Sequence, residues 1–141
     1  MQVVVDTSVL IRYLIRPSTA IKGLIECLWV GEEIQMVTSP EIIAELEGVL
    51  ARDYIQELIH PEEGQALLEA IHLRVEITPP LSDIPSYTRD PKDDKFIACA
   101  LAGNAKYVIT VDKDILILGT LMDIHMVTPD EFRRIMRHEK K

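Results

Sequence analysis

Cysteine is scarce in this 141-residue sequence: Cys27 and Cys99 stand alone, with no CxxC pair, which excludes a disulfide framework and a thiolate metal site. Histidine does not compensate. His60, His72, His125 and His138 are scattered without HxxxH spacing or a neighbouring cysteine, so zinc is not expected. Long apolar runs are also missing. Asp6 and Arg12 interrupt the apolar N-terminus, whereas a membrane-spanning helix needs about 20 predominantly apolar residues. The first ten residues lack a basic start and carry Asp6 where a signal peptide keeps its apolar core. The expected setting is the cytoplasm, with no membrane partner. The glycine-rich phosphate loops GxxxxGK[ST] and GxGxxG are absent, and no Ser-His-Asp or Cys-His arrangement is apparent.

Positive charge is short as well: 15 basic residues face 23 acidic ones, for a net charge of −8. That argues against binding nucleic acid through bulk positive charge. The distribution is uneven. The last ten residues hold Arg133, Arg134, Arg137, Lys140 and Lys141 against Glu139 alone, a local +4 that leaves −12 for the rest. Acid crowded into so small a chain is available to hold metal.

What remains is ordinary for a compact protein: 48% hydrophobic and 27% charged residues, in a length that suits one domain. Strands are expected at 2–5, 34–38, 74–77, 107–111 and 124–127, each a short run rich in β-branched residues. Helices are expected between them: a short one closed by Pro17, one capped by Ser18 or Thr19 and ending at Gly31, one opened by Ser39-Pro40-Glu41, one from His60-Pro61, one over 93–103, and a short turn after Asp112. Thr128-Pro129-Asp130-Glu131 forms a capping box that starts a basic C-terminal helix at about 129. The proline-bearing stretch Thr78–Lys92 reads as a loop. Strands alternating with helices predict a single α/β domain over 1–141, with a mostly parallel, roughly five-stranded sheet flanked by helices.

Ligands of an open parallel sheet bind beyond the carboxyl ends of its strands. Asp6 and Asp112 follow the first and fourth strands, and Glu45 and Asp94 lie on helices that leave the same edge. Each acid alone has a bland account as a cap, a turn residue or a helix-dipole partner. Together, four carboxylates on one edge repel one another unless a cation joins them. Hard oxygen ligands of this kind suit Mg²⁺ or Mn²⁺, and such ions serve phosphoryl transfer.

Four segments carry a family resemblance: Val-Val-Asp-Thr-Ser-Val-Leu at 4–10, Thr-Ser-Pro-Glu-Ile-Ile-Ala-Glu-Leu at 38–46, Asp-Pro-Lys-Asp-Asp-Lys-Phe-Ile-Ala-Cys-Ala-Leu at 90–101 and Val-Ile-Thr-Val-Asp-Lys-Asp at 108–114. In order and spacing they resemble the motifs of PIN-domain ribonucleases, and most closely those of small prokaryotic toxin components of toxin–antitoxin pairs. The resemblance implies a Mg²⁺- or Mn²⁺-dependent endoribonuclease acting on single-stranded RNA. It also implies an antitoxin protein as partner and a homodimer. It assigns Asp6, Glu45, Asp94 and Asp112 as the catalytic, metal-holding acids, with Ser8 and Thr110 as supporting hydroxyls. Asp93 and Asp114 adjoin two of these acids and share or replace their roles. Two divalent ions would bring the formal charge from −8 to −4, and Arg12, Arg16, Lys92, Lys95 and Lys113 are placed to rim the cleft.

Two other functions fit the same features. Length, α/β alternation and strand-end acids also suit a phospho-acceptor receiver domain, although Asp6 stands alone after its strand where a receiver has paired acids. A PIN fold that binds partners without significant nuclease activity fits the same residues.

Overall fold

The computed structural model describes residues 1–30 and 33–139. The expected helix end at Gly31 and the basic residues Lys140 and Lys141 lie outside the described residues. The element order is β1 (Gln2–Val5), α1 (Thr7–Ile15), α2 (Thr19–Val30), β2 (Gln35–Thr38), α3 (Pro40–Leu50), α4 (Asp53–Gln56), α5 (Pro61–Arg74), β3 (Glu76–Ile77), a 3₁₀ turn (Pro91–Asp93), α6 (Asp94–Ala102), β4 (Tyr107–Ile109), α7 (Lys113–Leu116), β5 (Thr120–Leu121), β6 (Ile124–Val127) and α8 (Pro129–Glu139).

The strands form one six-stranded sheet in the order β3-β2-β1-β4-β6-β5. All neighbours are parallel except β5, which pairs antiparallel with β6. The sheet therefore has one strand more than expected, and that strand is only two residues long. It is made by a tight hairpin in which Met122 (φ 49°) and Asp123 (φ 64°) both take left-handed conformations. That geometry is the one a two-residue hairpin turn requires, here without the Asn-Gly or Asp-Gly pair that usually announces it.

The five parallel strands lie in the order third, second, first, fourth, fifth. A receiver domain follows 2-1-3-4-5 instead, so the topology overturns that alternative. The order reverses between β1 and β4, where crossover helices leave to opposite faces and open a crevice at the strands' carboxyl ends. Val3↔Tyr107, Val4↔Val108 and Val5↔Ile109 are the register pairs that bring the two strand ends level.

Alternation along β1 sends its side chains to two cores, as burial on both faces of a parallel sheet demands. Val3 and Val5 join one cluster with Leu10, Ile25 and Leu46 from α1, α2 and α3. Val4 joins the other with Phe96, Ile97 and Ala100 of α6. Caps fix where the helices start. The Ser39 hydroxyl accepts from the Ile42 amide ahead of Pro40, and the Ser18 hydroxyl accepts from the Ile21 amide. Among the described residues no helix is long and apolar enough to cross a membrane.

The close seat of α6 against the sheet depends on Gly103. A Cβ there would overlap Cγ1 of Val37 on β2 and stand 3.2 Å from its Cβ. Gly103→Ala is therefore expected to lower stability by about 1–3 kcal/mol, the usual cost of overpacking. Chemical denaturation measures it directly; an unchanged midpoint would show that β2 yields freely at this contact.

Candidate metal centre

The β1–β4 crevice is built on Asp6, Thr110 and Asp112. Asp6 ends β1 and caps α1, and its amide donates to the Ile109 carbonyl of β4 (2.9 Å). Its Oδ2 accepts from the Thr110 hydroxyl at 2.6 Å and from the Ser8 hydroxyl at 2.9 Å. Thr110 in turn accepts from the Asp112 amide at 3.0 Å. One hydroxyl thus couples the acids at the ends of two neighbouring strands. Burial raises the Asp6 pKa, outweighing the hydrogen bonds from Thr110 and Ser8 that favour its charged form.

Asp112 caps α7, accepting from the Asp114 amide at 2.9 Å. One carboxylate oxygen each from Asp93, Asp112 and Asp114 lie within 4.8 Å of one another. Asp93 is buried, and its Oδ2 has no hydrogen-bond partner. Burial pushes its pKa up to about 7, helped by the charges of Asp112, Asp6 and Asp90 and opposed by Lys95. A buried carboxylate oxygen without a partner is costly, and a cation among three converging carboxylates would satisfy it. This donor set of hard oxygens fits Mg²⁺ or Mn²⁺. Asp114 meanwhile pairs with Arg89 at 2.7 Å on the exposed rim.

The four acids singled out from the sequence do not all meet. Asp6 and Asp112 stand at the crevice. Asp94 serves elsewhere: its Oδ1 accepts from the Tyr87 amide (2.9 Å), the Thr88 amide (2.7 Å) and the Thr88 hydroxyl (2.9 Å). Burial acts to raise its pKa, yet these three bonds prevail and hold it below the ordinary carboxylate value. Its neighbour Asp93, at the end of the 3₁₀ turn, is the one that joins Asp112 and Asp114. Glu45 is engaged by Thr7, whose hydroxyl donates to Oε2 at 2.5 Å, and by Lys95, whose Nζ lies 3.0 Å from Oε1. Thr7, Arg89 and Lys95 were not assigned these contacts from the sequence. A groove of about 500 Å³ between α2 and α8 contains none of the expected site residues.

Because Asp94 holds the loop ahead of α6, Asp94→Ala is expected to cost about 1–2 kcal/mol, leaving two half-buried amides without their acceptor. Trypsin cleavage after Arg89 should accelerate with it. A variant as stable and as protease-resistant as the parent would show that the loop is held by other contacts.

A family model described as the PIN domain matches residues 2–114. Several solved structures share the fold. VapBC2 from Rickettsia felis, bound to a DNA fragment from its promoter, is 16% identical, with 89% of this chain and 97% of that chain covered and a TM-score of 0.58. VapBC-1 from nontypeable Haemophilus influenzae is 19% identical over 92% of this chain and 99% of that one, with a TM-score of 0.61. VapC20 from Mycobacterium tuberculosis, described as a toxin that cleaves the sarcin-ricin loop, is 17% identical over 87% and 98%, with a TM-score of 0.56. No curated protein is significantly similar to the chain.

Proposed function

The chain belongs to the PIN-domain family, and from that premise we propose that it is a metal-dependent endoribonuclease that hydrolyses phosphodiester bonds of single-stranded RNA. The observation that carries the reading is the convergence of the Asp93, Asp112 and Asp114 carboxylates, one of which, Asp93, has its Oδ2 buried without a partner. These three residues would hold Mg²⁺ or Mn²⁺. A divalent ion there supplies positive charge against the negative charge that develops on a phosphodiester under attack.

The chain's own residues prepare that site. Asp6, fixed by Ser8 and Thr110, adds negative charge beside the trio without a direct place in it. Thr110 fixes the Asp112 backbone through its amide, and Asp112 fixes Asp114 in the same way. Asp94 anchors Tyr87 and Thr88, and so holds Arg89 where it reaches Asp114. Because the chain is negative overall, an ion held there, rather than a basic surface, would be the main attraction for phosphate.

The likeness to VapBC chains supports a role as the toxin of a toxin–antitoxin pair, with an antitoxin protein as partner. A homodimer and a cytoplasmic location belong to the same reading. The test is cleavage of an end-labelled single-stranded RNA by the purified protein, with Mg²⁺, with Mn²⁺ and with chelator. Asp112→Asn purified in parallel controls for contaminating nuclease. Metal-dependent cleavage that the variant lacks is the expected result. No cleavage, or equal cleavage by both, would leave a PIN fold that works by binding alone.

A further inference from the structure

Glu45 lies on α3, and Lys95 lies in the first turn of α6. The Lys95 ammonium lies 3.0 Å from Glu45 Oε1 and also donates to the Lys92 carbonyl. Lys92 is in the 3₁₀ turn that delivers Asp93. Lys95 therefore ties α3 to the turn carrying the buried member of the aspartate trio. The pair is sheltered, with side-chain exposures of 16% for Lys95 and 30% for Glu45, so solvent screens it less than a rim pair such as Arg89–Asp114. The Thr7 hydroxyl holds the other Glu45 oxygen at 2.5 Å. Both oxygens of Glu45 are thus engaged by the protein itself.

We infer that Lys95 is a built-in cation occupying the Glu45 corner of the site, so that the RNA-free chain binds one divalent ion, through Asp93, Asp112 and Asp114, and Glu45 is the partner of Lys95 rather than a metal ligand. The inference rests on the proposed metal site and adds to it the number of ions and the role of Glu45. A second ion at Glu45 would have to break the contact with Lys95 and sit close to an ammonium, where like charges repel strongly. Lys95 acts here as a positioning residue: it neutralises Glu45, holds it with α3, and steadies the turn that presents Asp93.

Equilibrium binding of Mn²⁺ to the full chain without RNA, followed by the spin-resonance signal of the free ion, tests this. The wild type is expected to bind one Mn²⁺. Glu45→Gln should keep that ion with its affinity changed by less than about threefold, as for loss of a partly exposed ion pair. Asp112→Asn should lose it. Lys95→Met frees Glu45 and should admit a second Mn²⁺, which Lys95→Met combined with Glu45→Gln should not bind; Lys95→Arg, keeping the charge, should remain at one ion. Two ions on the wild type, an affinity loss of about tenfold or more in Glu45→Gln, or a folded Lys95→Met that still binds one ion would each overturn the inference and leave the metal site standing. Should Lys95→Met not fold, as judged by circular dichroism, the wild type and Glu45→Gln decide the matter. Failure of the wild type to bind any Mn²⁺ would overturn both this inference and the metal site beneath it.

Discussion

Asp112→Asn is expected to lower metal-dependent RNA cleavage by about a hundredfold or more, the scale of losing a group that stabilises transition-state charge, with the fold preserved. Asparagine caps helices about as well as aspartate, so the bond from the Asp114 amide survives the change while one carboxylate leaves the trio. Asp93→Asn should cost cleavage equally, with an added effect on stability. Its carboxylate is buried beside Asp112 and Asp6 without a hydrogen bond on Oδ2. Above pH 7, where the native carboxyl has lost its proton, neutralising it removes the cost of burying that charge and the repulsion, so the metal-free variant should melt at a higher temperature than the parent there. Asp94→Asn should differ in kind. It weakens the acceptor of three hydrogen bonds and should lower the melting temperature. Cleavage rates with calorimetry of the three variants separate the cases. If a well-folded Asp94→Asn loses cleavage while Asp93→Asn keeps it, the two neighbours have been assigned in the wrong order.

The different surroundings of Asp93 and Asp94 mark where the sequence stops being readable. Both lie in one motif and both suit a helix start. The chain enters α6 through a 3₁₀ turn over Pro91–Asp93, and the tighter winding of that turn rotates successive side chains by a different angle than an α-helix does. One residue of difference then separates the crevice from the loop at Thr88. The placement of Asp6 and Asp112 just beyond the carboxyl ends of β1 and β4 was legible for a simpler reason. Each follows a short buried run, and a strand's end is fixed by where its apolar alternation stops. The parallel strands were legible for the same reason, whereas β5 was not, because its turn uses Met122 and Asp123 in place of glycine or asparagine. The ion pair between Glu45 and Lys95 spans 50 positions. Neither residue's neighbours announce it, and it forms only because α3 and α6 converge beside the crevice. The question of Asp112 against Asp114 takes a different form in three dimensions, since the cap geometry of α7 brings both to the trio.

Divalent metal and pH should act on stability in opposition. Asp93 keeps its proton to about pH 7 in the native chain, against an ordinary value of 3.8. Between those values the native state binds the additional proton, so the stability of the metal-free protein falls as the pH rises toward 7. Asp6, also raised by burial, contributes in the same direction. Asp94 is held below the ordinary value and contributes oppositely, but its stabilisation is lost only on acidification through and below 3.8, outside this window. A divalent ion binding at Asp93 must displace that proton. Its affinity should therefore rise with pH by up to about tenfold per unit until roughly pH 7, and then level off. Because an ion that binds only the native state stabilises it according to its affinity, the melting-temperature increase produced by a fixed concentration of Mg²⁺ or Mn²⁺ should be larger at pH 8 than at pH 6. Calorimetry at both pH values, with the ion and with chelator, measures the two trends together. A metal-induced increase of equal size at both would place the ion on carboxylates other than Asp93. In Asp93→Asn the difference between the two pH values should shrink, because the proton that competes with the ion is no longer there.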